Sequence, residues 1–212
     1  MRLHFLRRKQ IDAFTMLELI VITTVVCILL ALLISVAIKA HAKQQRISCT
    51  MHLKVVGASY LFSSNEHRNP STWQIQSNLA ETNFSELLRK YFAGTNQVNP
   101  RIFACPADTR KPATNLAVIT RTNVSYFISL NASESLPQAF LAGDRNIMTN
   151  GVQVEPGIAN LTAQSKVSWD GTMHRFQGHV LMGDGSIQLL GSTRLQDQWT
   201  NQGVSSITFA VP

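Results

Sequence analysis

Few side chains in this 212-residue chain combine a type and a spacing that could do chemistry. Glu18 is the first, as the lone acid in an apolar run from Phe14 to Ile38. A carboxylate in hydrocarbon costs about 2 to 3 kcal/mol unless something pairs with it, so Glu18 needs a partner. Cys49 and Cys105 are the second group; their spacing fits no zinc pattern, and in an oxidising compartment they could join as a disulfide. Cys27 falls inside the apolar run, where it serves as a small apolar residue. Asp144, Asp170 and Asp184 are oxygen donors of the kind calcium takes, although no run of alternating acidic ligands accompanies them. His174 and His179 flank a turn-rich segment and are expected to shape or cap a hairpin rather than act as bases. No G-x-S-x-G, H-E-x-x-H, Walker A or dinucleotide fingerprint is present, so no catalytic residue, no enzyme activity and no cofactor is expected, with calcium the weaker alternative.

The elements that must position these groups begin with the apolar run itself, which at about 25 residues can cross a bilayer as a helix. Arg2, Arg7, Arg8 and Lys9 precede it and the bulk of the chain follows it. The positive-inside rule therefore places the N-terminus in the cytoplasm and the remainder outside, as a single-pass, exported protein. A secretory signal would end its shorter apolar core in a small-residue cleavage site, for which Ala31 and Ala37 are only weak matches. A plain signal anchor with no processing satisfies hydropathy equally well. From Lys43 onward, fourteen Lys and Arg stand against ten Asp and Glu, without a dense basic run. The pI near 9.7 thus gives little support to a nucleic-acid partner.

The order of residues at the start of the span separates the two readings. The string "RRKQIDAFTMLELIVITTVV" resembles the leader and N-terminal helix of type IV pilins and type II secretion pseudopilins. That resemblance implies a prepilin peptidase that cuts between Ala13 and Phe14 and methylates the new amine of Phe14. It also implies that Glu18 pairs with the N-terminal amine of a neighbouring subunit during assembly, which supplies the missing counter-charge. The family usually has Gly before the cut; Ala13 is small enough to serve. Residues 1–13 are then a leader, 14–38 the transmembrane assembly helix, 39–62 its continuation, and 63–212 an exported α+β domain.

In the continuation, Ile47, Met51, Val55, Ala58 and Phe62 make one apolar stripe, and Cys49, Leu53, Val56 and Tyr60 a second half a turn away. One can pack on the domain and the other on neighbours, or both can serve one core. A short helix is expected over Asn83 to Phe92. Strands are expected at Val124 to Leu130, Gln138 to Ala142, His179 to Met182, Ser186 to Leu190 and Ser206 to Val211, with Gly183, Asp184 and Gly185 turning a hairpin. The fold class is therefore α+β and pilin-like: a long N-terminal helix with a C-terminal antiparallel sheet.

The spacing from His174 to Asp184 and Gly185 resembles the H-X9-DG element of prepilin-like proteins from planctomycetes, verrucomicrobia and their relatives. The segments "ISCTMHLKVVG", "FACPAD" and "AGDRN" resemble the same group. The resemblance implies a lineage and an architecture, with no defined activity. Its functional expectation is a fibre subunit of a bacterial inner membrane whose partners are the prepilin peptidase and other pilin or pseudopilin subunits. The secretion role is favoured over a type IV pilin for adhesion, motility or DNA uptake. The rival is an anchored binding module for polysaccharide or protein, in which Trp73, Trp169 and Trp199 could stack on sugars, although buried core positions are the expected use of these residues.

Overall fold

The computed structural model describes residues 15–67, 99–132 and 136–212. The leader, the pair Ala13 and Phe14, Trp73 and the helix expected at Asn83 to Phe92 lie outside them. The chain divides into two units, one ending at Lys43 and one beginning at Gln44.

Helix α1 (Met16–His67) starts in the first unit and runs without a break into the second. Thr15 opens it: its Oγ1 accepts from the Glu18 amide at 3.2 Å and its carbonyl from the Leu19 amide at 3.2 Å. Thr-x-x-Glu is the order of a capping box, and Glu18 also lies where the helix dipole favours a negative charge. The hydroxyls of Thr23, Thr24 and Ser35 donate back to the carbonyls of Ile20, Val21 and Ala31. These three hydroxyls are therefore satisfied within the helix, as hydrocarbon requires. From Met16 to Ile38 the large apolar side chains are exposed, and the helix is long and apolar enough to cross a membrane.

In the second unit α1 has two faces. Cys49, Leu53 and Val56, spaced i, i+4, i+7, are buried, while Ile47 and Met51 are 53% and 60% exposed. Over these residues one expected stripe packs on the domain and the other faces outward, while the side chains of Tyr60 and Phe62, the last members of the two stripes, lie outside the described ones.

The domain is built on strands β1 (Tyr126–Ser129), β2 (Phe140–Asp144), β3 (Ile147–Thr149), β4 (Val152–Gln153), β5 (Gly157–Thr162), β6 (Val167–Trp169), β7 (Gln177–Met182), β8 (Ile187–Gly191) and β9 (Ser206–Val211), with helix α2 (Ser192–Thr200) between the last two. Six of them form one antiparallel sheet in the order β5-β9-β1-β2-β7-β8, and a smaller sheet runs β4-β3-β6. Side-chain alternation divides the core between the two faces of the large sheet. Tyr126, Ile128, Ala142 and Leu181 pack with Cys49, Leu53 and Val56 of α1. Phe127, Val180, Met182 and Phe209 pack with Trp169 of β6 and Leu195 and Trp199 of α2.

The expected hairpin is β7 to β8. At its turn Gly185 takes φ 79°, and Asp184 Oδ1 accepts from the Ser186 amide at 2.8 Å. A Cβ at Gly183 would sit 2.2 Å from the Leu136 carbonyl oxygen, so only glycine fits there. Strands β3 to β6 and helix α2 were not among the expected elements.

Candidate functional site

The face of the large sheet that α1 covers carries a row of polar side chains. Tyr126 pairs with Asp144 across β1 and β2, and Gly143 with Val180 across β2 and β7. Period-two alternation then sets Tyr126, Asp144 and His179 side by side. Cys49 descends onto this row from α1: its thiol donates to Asp144 Oδ1 at 3.3 Å and lies 3.4 Å from the Tyr126 hydroxyl. His179 donates its backbone amide to Asp144 Oδ2 at 2.7 Å, and its Nδ1 lies 3.1 Å from the same oxygen. His174 Nε2 lies 3.5 Å from that oxygen and 3.3 Å from Cys105 Sγ. The two imidazoles meet edge to face at 4.7 Å. Cys49 and Asp144 have no exposed surface, Cys105 and His179 have 1%, and His174 has 7%.

Two loops deliver the groups that the sheet does not. The Cys105 loop is held to α1 by Gln45 Nε2, which donates to the Pro106 carbonyl at 3.2 Å, and by His52 Nδ1, 3.1 Å from the Ala104 carbonyl. It is held to the end of β2 by Arg145, whose Nε and Nη2 grip both Asp108 oxygens at 2.8 Å. His174 sits in a turn in which it, Arg175 and Phe176 take φ of 48°, 54° and 61°. Left-handed backbone costs about 1–2 kcal/mol per residue outside glycine, so the turn must be held from elsewhere. Buried Asn146 does this by donating Nδ2 to the carbonyls of Asp170 and Met173 at 3.2 and 3.4 Å. The three quoted segments, together with His174 of the H-X9-DG spacing, thus converge on one cluster. Gly143 clears room for Phe127, Asp144 is the hub, Arg145 fixes the Cys105 loop and Asn146 fixes the His174 turn.

The electrostatics follow from burial and contact. Contact with the Cys49 thiol lowers the Cys105 thiol to about 6, with burial opposing and His174 helping. Burial pushes the Cys49 thiol far up. Burial also pulls His174 down, but the Cys105 contact and the Asp144 charge outweigh it and the net shift is upward. At Asp108 burial acts upward, yet the Arg145 guanidinium holds the carboxyl below its ordinary 3.8. A depressed carboxylate contributes stability above its unfolded pKa and loses it as pH falls through the folded one. Asp108→Asn is therefore expected to cost about 1.5–3 kcal/mol at neutral pH. The deficit should shrink as pH falls below 3.8, which urea unfolding at stepped pH would read.

Cys49 and Cys105 are brought together, and both carry free thiols. His179 lies in β7 of the hairpin, paired with Leu189, and both His174 and His179 turn inward onto Asp144. Of the suggested calcium donors only Asp144 belongs to the cluster. Asp170 caps its own turn through the Thr172 amide at 2.8 Å, and Asp184 stays in the exposed hairpin turn. Glu18 lies in the other unit. Tyr126 and Asn146 had no chemical signal in the sequence, because their roles come from strand register and a loop crossing. Chemically, the cluster gathers thiols, imidazoles and a carboxylate that face one another.

Comparisons of the chain with protein-family models, with curated proteins and with solved structures give no match.

Proposed function

We propose that this protein is a structural subunit of a pilus-like fibre, of the type II secretion pseudopilin-like kind, anchored in a bacterial inner membrane with its domain on the outer side. The observation that carries this reading is helix α1: its apolar residues from Met16 to Ile38 are exposed, with a single carboxylate in the first turn, and further along Cys49, Leu53 and Val56 are buried while Ile47 and Met51 stay exposed. Cleavage before Phe14 by a prepilin peptidase would create an amine beside the membrane surface, and Glu18 of an adjacent copy offers it a counter-charge. Apolar helices from many copies would then bury their exposed surface in a central bundle, each adding to the next without closing a ring. Within this reading a type IV pilin for adhesion, motility or DNA uptake has the same requirements.

The rival reading, an anchored sugar-binding module, loses support from its aromatic residues. Trp169 and Trp199 are each 2% exposed and belong to the core behind the large sheet.

The test is recovery after shearing of cells that also carry the assembly machinery. A fibre subunit enters the sheared, sedimentable fraction, whereas a solitary anchored module stays with the membrane. The two stripes of α1 should separate in the same assay. Met51→Lys, on the outward stripe, is expected to change stability by less than about 0.5 kcal/mol yet reduce the sheared fraction severalfold. Leu53→Ala, with no exposed surface, is expected to cost about 2–5 kcal/mol in stability.

A further inference from the structure

The buried thiol, imidazole and carboxylate cluster has no part in fibre assembly as proposed, and its composition asks for an explanation. Asp144 has no exposed surface, and among the described residues no Lys or Arg ion-pairs with it. A buried carboxylate needs a compensating charge, and two thiols with two imidazoles supply one only weakly. The donor atoms of Cys49, Asp144, His174 and His179 lie within 4.8 Å of one another, and Cys105 Sγ lies 3.3 Å from His174 Nε2. In a tetrahedral site with bonds of about 2.0–2.3 Å, neighbouring ligand atoms stand about 3.3–3.8 Å apart. The contacts from Cys49 to Asp144, Cys105 to His174 and His174 to Asp144, at 3.3, 3.3 and 3.5 Å, match three of the six edges of such a tetrahedron. His174 is presented by three consecutive left-handed residues, a conformation kept only where the surroundings impose it.

We propose that Cys49, Cys105, Asp144 and His174 hold one zinc-class divalent ion, with His179 orienting Asp144 from behind. The sulfur and nitrogen donors select a borderline-soft metal over calcium or magnesium. Four protein ligands with no solvent-facing side make the site structural rather than catalytic. Its effect is to clip α1, the Cys105 loop and the His174 turn to the sheet, so that the helix which would pull on its neighbours in a fibre is fastened to its own domain. His179 has the geometry of a supporting group, since its ring and its backbone amide both engage one oxygen of Asp144.

The experiment uses the full chain in detergent carrying Cys27→Ser, so that thiol counting reads only Cys49 and Cys105. Zinc alone is supplied during refolding, followed by elemental analysis, thiol alkylation, exchange for cobalt(II) and optical spectroscopy. The expected result is one zinc per chain, two thiols protected until a chelator is added, and a cobalt spectrum with thiolate charge-transfer bands and the intense visible bands of a tetrahedral centre. Cys49→Ser and Cys105→Ser should each weaken binding at least about 100-fold, His179→Gln about 10- to 100-fold, and Asp184→Asn not at all. Where a ligand variant fails to fold, the cobalt spectrum of the parent chain still decides. Two alkylatable thiols without bound metal would overturn the proposal. So would a chain 2 Da lighter with no reactive thiol, because Cys49 and Cys105 would then be a disulfide. Zinc retained unchanged in both serine variants, or displaced by calcium, would overturn it too.

Discussion

Cells carrying Glu18→Ala are expected to hold as much of this protein in the membrane as the parent does, while its sheared, sedimentable fraction falls at least tenfold. Removing the carboxylate takes about 2–3 kcal/mol of unfavourable charge out of the span, so insertion is not impaired. Under the proposed fibre assembly, what would disappear is the counter-charge for the amine of an adjacent copy. A purely local role predicts something else: Thr15 still accepts from the backbone amide of residue 18, and losing a first-turn acid costs only about 0.3–1 kcal/mol. Glu18→Gln separates the two explanations because it keeps shape and capping but not charge. Assembly lost with both substitutions assigns the role to charge. Assembly retained with both reduces Glu18 to a helix-start residue.

The second large effect is expected at Asp144. Asp144→Ala removes the acceptor for the His179 amide and ring and for the Cys49 thiol at once, leaving buried donors without partners. Each orphaned buried group costs about 1–3 kcal/mol, and the loss is expected to total about 3–5 kcal/mol. Asp144→Asn preserves shape but turns an amide donor towards one of these donors, and an intermediate loss of about 1–3 kcal/mol follows. Urea unfolding followed by tryptophan fluorescence reads both, with Trp169 and Trp199 buried as reporters. A loss below about 1 kcal/mol for Asp144→Ala would show that the cluster does not hold the domain together.

How far the sequence reveals this molecule depends on where each signal is stored. The apolar run and the two stripes of α1 are local patterns, so the helix and its two faces are legible, and β9 (Ser206–Val211) and the β7 to β8 turn are legible through β-branched residues and Gly-Asp-Gly. Strands β3 and β4 are three and two residues long, too short for alternation to show. The Gly157–Thr162 strand has Gly, Ala and Asn, poor strand formers, and exists because it pairs along its whole length with β9, from Gly157↔Val211 to Thr162↔Ser206. Helix α2 has only Leu195 and Trp199 as buried anchors and no side-chain cap. At the candidate site the pair Cys49 and Cys105, the residue His174 and the segment holding Asp144 stood out as three separate signals. Their convergence did not, because it depends on strand register bringing Asp144 beside His179 and on Asn146 holding a strained turn 28 residues further on, at His174.

The most direct test of the fibre-subunit account is the mass of the N-terminal peptide from protein recovered from its native membrane. The account predicts a chain beginning at Phe14 with a methylated amine, the form in which Glu18 of a neighbour has something to pair with. A chain beginning at an intact Met1 would contradict it, because without the cut before Phe14 there is no new amine and the apolar helix is a plain signal anchor.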